Sequence, residues 1–257
     1  MINFIAGEAG IKTIAFIGIL FAFAATCLVM WKGMGMLPRD QGREFAVDGK
    51  KSAGKPRGAG FLFVLVFIAA ALLFGQVNRA MVIYLILTGA AMITGFLDDC
   101  AKTPWGEYKK GFLDLVIAVM VAVTFLNFNS NDITILLTGT TITVPPVLFG
   151  ILTVVLVWVS INVTNCSDGV DGLSGTLTII TLMIIYLVDL LQSRGDSFSY
   201  LILLFCVCIL GYLWYNATPS RLMMGDAGSR AMGLFISIAV LKTGSPLLYI
   251  PVALVLI

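Results

Sequence analysis

The chain has 257 residues, 59% hydrophobic and only 12% charged, with a mean hydropathy of +1.01. Soluble domains carry about a quarter charged residues, so this composition excludes an ordinary soluble globule and predicts an all-α polytopic membrane protein. The net charge of +2 gives no sign of a nucleic-acid partner; with no histidine and five cysteines that form no C-x-x-C pair, zinc centres and disulfide frameworks are disfavoured too.

Residues 11–31 form the first apolar stretch, too long for the core of a cleavable signal peptide and long enough to cross a bilayer as helix. A basic loop follows over 32–58, carrying Lys32, Arg39, Arg43, Lys50, Lys51, Lys55 and Arg57. Apolar runs then fall at 59–76, 80–97, 112–128, 146–161, 173–191, 199–215 and 231–241, and another begins near 246. About nine transmembrane helices are expected, in a single membrane domain over 1–257. The last run is still apolar at Ile257, which leads us to expect a C-terminal continuation. If the 32–58 loop is cytoplasmic, Lys102, Lys109, Lys110, Arg221 and Arg230 share its side, while Lys12, Arg79, Arg194 and Lys242 fall opposite. That bias sets the N-terminus outside. Between 131 and 144, β-branched residues alternate around Thr138-Gly139-Thr140, predicting a small extracytoplasmic β-hairpin.

On this topology the chemistry-bearing side chains gather at the cytoplasmic face. Asp98 and Asp99 end the third span, Asp168 and Asp171 follow the fifth, and Asp226 follows the seventh. A carboxylate at the bilayer centre costs about 2.5–3.5 kcal/mol, which placement at helix ends largely avoids. Crowded carboxylates repel unless they share a proton or a cation, and Mg²⁺, with its preference for oxygen ligands, suits them. The segment Asn162-Val163-Thr164-Asn165-Cys166-Ser167-Asp168-Gly169-Val170-Asp171-Gly172-Leu173 reads as a polar loop between two apolar runs. Its carboxamides present donor and acceptor together, as a sugar or base edge requires. Helix capping would explain one Asp-Gly, but not two in tandem behind two asparagines. Met224-Gly225-Asp226-Ala227-Gly228-Ser229 adds glycines that let backbone approach a phosphate, and Tyr215-Asn216-Ala217-Thr218-Pro219 lies upstream of it.

These motifs resemble those of the polyprenyl-phosphate N-acetylhexosamine-1-phosphate transferases, of glycosyltransferase 4 type, whose fold has ten transmembrane helices. The match rests on Asn-x-x-Asn-x-x-Asp-Gly-x-Asp-Gly-Leu at 162–173, Gly-Phe-Leu-Asp-Asp at 95–99, Asn-x-x-Pro at 216–219 and Gly-Asp-x-Gly-Ser at 225–229. The resemblance implies that Asp98, Asp99 and Asp226 are catalytic, with Asp226 as the Mg²⁺ ligand, Asp98 as the base toward the acceptor phosphate, and Asp99 supporting the site or sharing that task. It also implies that Lys102, Asn162, Asn165, Asp168, Asp171, Asn216, Met223 and Ser229 bind substrate. Met223 stands where relatives usually carry a phenylalanine against uracil, and methionine can still pack a base face. Lys55-Pro56-Arg57-Gly58-Ala59-Gly60 leans toward the Pro-Arg-x-Gly-Gly form of sister transferases. Arg39-Asp40-Gln41-Gly42 has one carboxylate fewer than the family form. A lysine expected after Gly111 is replaced by Phe112-Leu113-Asp114-Leu115.

The implied reaction is Mg²⁺-dependent transfer of phospho-N-acetylmuramoyl-pentapeptide from its UDP derivative to undecaprenyl phosphate. UMP is released and the first lipid intermediate of peptidoglycan is formed. The implied partners are the UDP-sugar donor, the undecaprenyl phosphate acceptor and the lipid bilayer, with a homodimer left open. The expected location is the bacterial cytoplasmic membrane, with the active site on the cytoplasmic face. The basic 32–58 loop favours an anionic pentapeptide donor; the Pro-Arg element favours UDP-N-acetylglucosamine on the same scaffold. An ion or solute transporter is the rival of another class. Transporters place acids near the midplane on broken helices, whereas these lie at span ends.

Overall fold

The computed structural model describes residues 10–40, 53–136, 138–192, 197–254 and 256. Among them are nine α-helices: α1 (Ile11–Gly33), α2 (Gly60–Phe74), α3 (Arg79–Asp99), α4 (Glu107–Phe128), α5 (Pro146–Cys166), α6 (Leu173–Leu191), α7 (Phe198–Asn216), α8 (Gly225–Lys242) and α9 (Tyr249–Ala253). Six of these, α1 and α3 to α7, are long and apolar enough to cross a membrane. Helix α2 is apolar but shorter, at 15 residues, and α8 is buried along nearly its whole length. The predicted ninth apolar run is a 3-10 turn at Pro246–Leu248 leading into α9. The chain is thus an all-α, multi-pass membrane protein. Its outer shell is apolar, with Phe16 and Leu20 of α1, Met120 and Val123 of α4 and Ile151 and Val155 of α5 exposed, as a surface facing lipid requires.

The predicted hairpin is present as strands β1 (Asp132–Ile135) and β2 (Thr140–Thr143), antiparallel, with Ile133 opposite Ile142. It is tied to the end of α8, where the Thr134 N–H donates to the Gly244 carbonyl at 2.8 Å. All five cysteines are free.

Three helix ends extend well beyond the apolar runs. Helix α4 begins at Glu107 rather than 112, α5 continues to Cys166 rather than stopping at 161, and α8 begins at Gly225 rather than 231. Counting apolar residues truncates a helix where its first or last turn is polar, although the backbone ladder continues through it. Asn162 and Asn165 therefore belong to the last turn of α5 rather than to a loop. Asp226 sits in the first turn of α8.

Helix α8 is the axis of the molecule. It packs most extensively on α3 and α5, and also on α2 and α6, while α1 and α7 complete the opposite side. Without a hydrophobic force between helices in lipid, such packing depends on small residues that let backbones approach. A Cβ on Gly60 would lie 1.9 Å from the Gly228 nitrogen, and one on Gly95 would lie 2.3 Å from the Asp226 carbonyl oxygen. The obstacles are backbone, which cannot rotate away. Gly60→Ala is therefore expected to destabilise the bundle by about 1–3 kcal/mol. A lowered thermal midpoint in detergent checks this, and an unchanged midpoint would contradict the close approach of α2 and α8.

Candidate active site

The junctions α1–α2, α3–α4, α5–α6 and α7–α8 lie at one end of the bundle, and the hairpin lies at the other. The segment 53–60 runs across the first end as a strap. The Arg57 N–H donates to the Pro38 carbonyl at 2.8 Å and the Met223 N–H to the Pro56 carbonyl at 2.7 Å. The Ala59 N–H returns a bond to the Met223 carbonyl at 3.1 Å. These bonds fix Arg57 above the ends of α3 and α8.

There the guanidinium meets three carboxylates: Asp99 at 2.9 Å, Asp226 at 3.4 Å and Asp40 at 3.7 Å. Burial alone would lower the Arg57 pKa, but the charges of Asp99, Asp226, Asp40 and Asp98 outweigh it and hold the side chain more firmly protonated than usual. A second cation enters from α4. The Lys110 ammonium lies 2.7 Å from Asp98 and 3.1 Å from Asp226. Its neighbour Lys109 is turned away, stacked 3.3 Å over the Trp105 ring. Asp98, Asp99 and Asp226 are thus knit by one arginine and one lysine into a single buried cluster.

The two paired aspartates do different work. Asp98 accepts from the Trp105 N–H at 2.6 Å and holds Lys110 with its other oxygen. Asp99 accepts from the N–H groups of Asp226 and Ala227, each at 3.0 Å. These are among the first donors of α8, which has no side-chain cap of its own. Gly225 precedes them with φ +73, and a Cβ there would fall 2.4 Å from the Asp99 carboxylate. Glycine is required twice over.

The remaining predicted residues form the rim and its supports. Asn165 donates to the Ser229 hydroxyl at 2.8 Å, joining the ends of α5 and α8; Ser229 is fully enclosed and meets the cleft only through such neighbours. Asn216 accepts from the Gly172 N–H at 2.8 Å and donates to the Leu222 carbonyl at 2.9 Å, stapling the 167–172 loop to the segment before α8. Asp171 pairs with Lys55 at 3.4 Å, and Lys55 also reaches the Ser220 hydroxyl at 3.0 Å. Asn162 turns back to the Trp158 carbonyl at 2.8 Å. Asp168 and Met223 are half-buried beside these loops, and Lys102 is exposed in the connection between α3 and α4. The basic residues Arg43, Lys50 and Lys51, expected to favour an anionic donor, lie outside the described residues.

Arg57 and Lys110 join the carboxylate cluster although the sequence reading does not place them there. The lysine expected after Gly111 is absent, but Lys110, just before it, reaches the cluster because α4 starts early enough to carry it there. Behind Lys110, Asp114 and Arg230 form a buried ion pair, with the Arg230 Nε 3.1 Å from the Asp114 carboxylate.

A metal can be tested against this donor set. Among the described residues no three acidic, cysteine or histidine side chains form a ready cage. Mg²⁺ usually takes only one or two carboxylates, with substrate phosphates and water completing its shell. Asp98 and Asp226, from different helices, already converge on a single cationic point occupied by the Lys110 ammonium. Asp226, which faces Lys110 and Arg57 from the first turn of α8, fits the requirement of a single carboxylate ligand. An apolar cavity of about 410 Å³, lined by Ile133, Leu156, Leu241 and Tyr249 among others, lies toward the hairpin end and carries none of these groups.

The family model for glycosyl transferase family 4 matches residues 80–244, a range that contains Asp98, Asp99, Lys110 and Asp226. A phospho-N-acetylmuramoyl-pentapeptide-transferase from Treponema pallidum (strain Nichols) is 40% identical across 90% of this chain and 69% of its own length. The protein of the same name from Gloeothece citriformis is 31% identical across 88% of this chain and 62% of its own length. That from Fervidobacterium nodosum is 30% identical across 76% and 61%.

Proposed function

Because the chain belongs to glycosyl transferase family 4, we propose that it is a membrane phospho-sugar transferase. It moves phospho-N-acetylmuramoyl-pentapeptide from its UDP derivative to undecaprenyl phosphate and releases UMP. The observation that carries this reading is the convergence of Asp98, Asp99 and Asp226 with Arg57 and Lys110 at one end of the bundle. Phosphoryl transfer needs positioning and charge neutralisation more than covalent chemistry from the protein. The site offers both, at a membrane face where a soluble nucleotide and a lipid phosphate can meet. The positive-inside bias supports reading that face as the cytoplasmic one.

Within this reading, Asp226 would hold Mg²⁺. When bound, the metal neutralises charge on the donor pyrophosphate. Lys110 and Arg57 bind phosphate oxygens that approach the cluster. The lone pairs of Asp99 are committed to two backbone donors and to Arg57, so it positions rather than exchanges protons. Asp98 accepts one backbone N–H and turns its other oxygen to Lys110, and that oxygen is the one assigned to receive a proton from the acceptor phosphate. Asn165, Asn216, Asp168, Asp171 and Met223 belong to the donor side, held by the staples between α5, α7 and α8.

Lys110→Met is expected to lower turnover by on the order of 10²-fold, since it removes a preorganised charge from where phosphate charge develops. Steady-state kinetics on purified protein checks it, and near-normal turnover would remove Lys110 from the site. The substrate assignment is tested with undecaprenyl phosphate and a panel of UDP-sugars, following UMP release. Faster use of the muramoyl-pentapeptide donor supports the reading. Faster use of UDP-N-acetylglucosamine would make the chain a sister transferase, the alternative that the Pro56-Arg57 element favours.

A further inference from the structure

The buried ion pair Arg230–Asp114 lies behind the carboxylate cluster, and its charges have no part in the transfer described above. Arg230 is 2% exposed and Asp114 3%. The guanidinium spends Nε and Nη2 on Asp114, while Nη1 finds no hydrogen-bond partner among the described residues. Well-packed apolar residues in place of such a pair are often neutral or stabilising, so packing alone does not call for it.

Its placement supplies a reason. Lys110 and Asp114 stand one helical turn apart on α4, and Asp226 and Arg230 stand one turn apart on α8. The charges run cation then anion on one helix, and anion then cation on the other. Two ion pairs therefore form in parallel, Lys110–Asp226 at the site and Asp114–Arg230 beneath it. Helix α4 packs against α5 and α3 rather than against α8, so long side chains bridge the two helices. Arg230 also reaches the Lys110 carbonyl, at 3.5 Å, and so holds the backbone of the very residue that enters the site. Lysine is a flexible four-carbon stem, so whether its ammonium reaches both carboxylates depends on where its backbone is held.

We propose that Arg230 and Asp114 are positioning residues for the transfer site: the pair sets the register of α4 against α8 so that the Lys110 ammonium bridges Asp98 and Asp226. As an effect on turnover, the proposal rests on the transferase reading above; as a statement about where Lys110 is held, it does not.

The test replaces both members together, Asp114→Leu with Arg230→Leu, so that no lone charge is left buried. Three quantities are measured: thermal midpoint, steady-state kinetics, and the rate at which an amine-reactive acylating reagent labels Lys110, read by mass spectrometry. A midpoint close to the parent's is expected, with donor KM within about threefold and kcat reduced on the order of 10²-fold, the loss that a misplacement of about 1 Å can cause. Labelling of Lys110 should rise severalfold. Unchanged kcat and unchanged labelling in a folded double variant would overturn the proposal. If the double variant does not fold, Arg230→Lys decides, since lysine keeps the charge but cannot hold Asp114 and the Lys110 carbonyl in one fork. Parent-like labelling and kcat in that variant would overturn it. Should the parent turn over none of the UDP-sugars, the labelling result still decides the positioning role, so the two failures are told apart.

Discussion

Asp226→Asn is expected to abolish most transfer, by on the order of 10³-fold, while the bundle stays folded. The substitution is isosteric and leaves both cations with other carboxylate partners. Lys110 retains Asp98 at 2.7 Å, and Arg57 retains Asp99 at 2.9 Å. The backbone N–H of residue 226 still donates to Asp99, so the start of α8 keeps its anchor. What disappears is one of the two negative charges that converge on the Lys110 position, and with it the carboxylate proposed for Mg²⁺. The Mg²⁺ concentration for half-maximal activity should therefore rise by about tenfold or more, because a divalent ion loses an anionic ligand. Stability should change by only about 1–2 kcal/mol, the scale of a charged hydrogen bond whose partners find substitutes. Turnover measured across a Mg²⁺ titration, beside a thermal melt, checks each part. Ordinary turnover with an unshifted titration would move the metal assignment away from Asp226.

What the sequence discloses and what it hides divide along a physical line. Ionised groups at the ends of apolar runs are visible, because a membrane makes each carboxylate conspicuous. Asp98, Asp99 and Asp226 stand out in this way, and the structure brings them together. The β-branched alternation around Gly139 likewise announces the hairpin. The cations are harder to see. Arg57 and Lys110 lie among many basic residues on the same side, where positive charge already has a topological explanation. Their partners are distant in the chain, as when Lys110 meets Asp226, so no local spacing marks them. Asp114 and Arg230 do carry a signal. An acid inside the α4 run and an arginine in the second turn of α8 each demand a partner in lipid, and each stands four residues from a charge of opposite sign. The helix ends escape for a related reason. Hydropathy reports what a turn faces, not whether its backbone is helical, so it assigns the polar turns holding Asn165, Lys110 and Asp226 to loops.

Asp99 offers the sharpest separation between building the site and working in it. Its carboxylate is the cap that α8 lacks, supplied from the last residue of α3, and it is also the nearest partner of Arg57. Asp99→Ala would leave two buried N–H groups without acceptors, at about 1–3 kcal/mol each, and would deprive Arg57 of one of its carboxylates. Together these amount to roughly 4 kcal/mol, or about a 10 °C drop in thermal midpoint for a chain of this size. Transfer should be lost with it, since Gly225 and Asp226 are aimed by those same two bonds. Asp99→Asn should fall between, because one amide oxygen can still accept while the amide NH2 confronts a donor. Asp98→Asn is the counterpart. It keeps an acceptor for the Trp105 N–H, and Lys110, which the new NH2 confronts, still has Asp226, so it should lose less stability than Asp99→Ala, yet lose turnover. Thermal melts and kinetics on the parent and the three variants decide the matter. A stable but inactive Asp99→Ala would make Asp99 the proton acceptor and reverse the roles assigned to the pair.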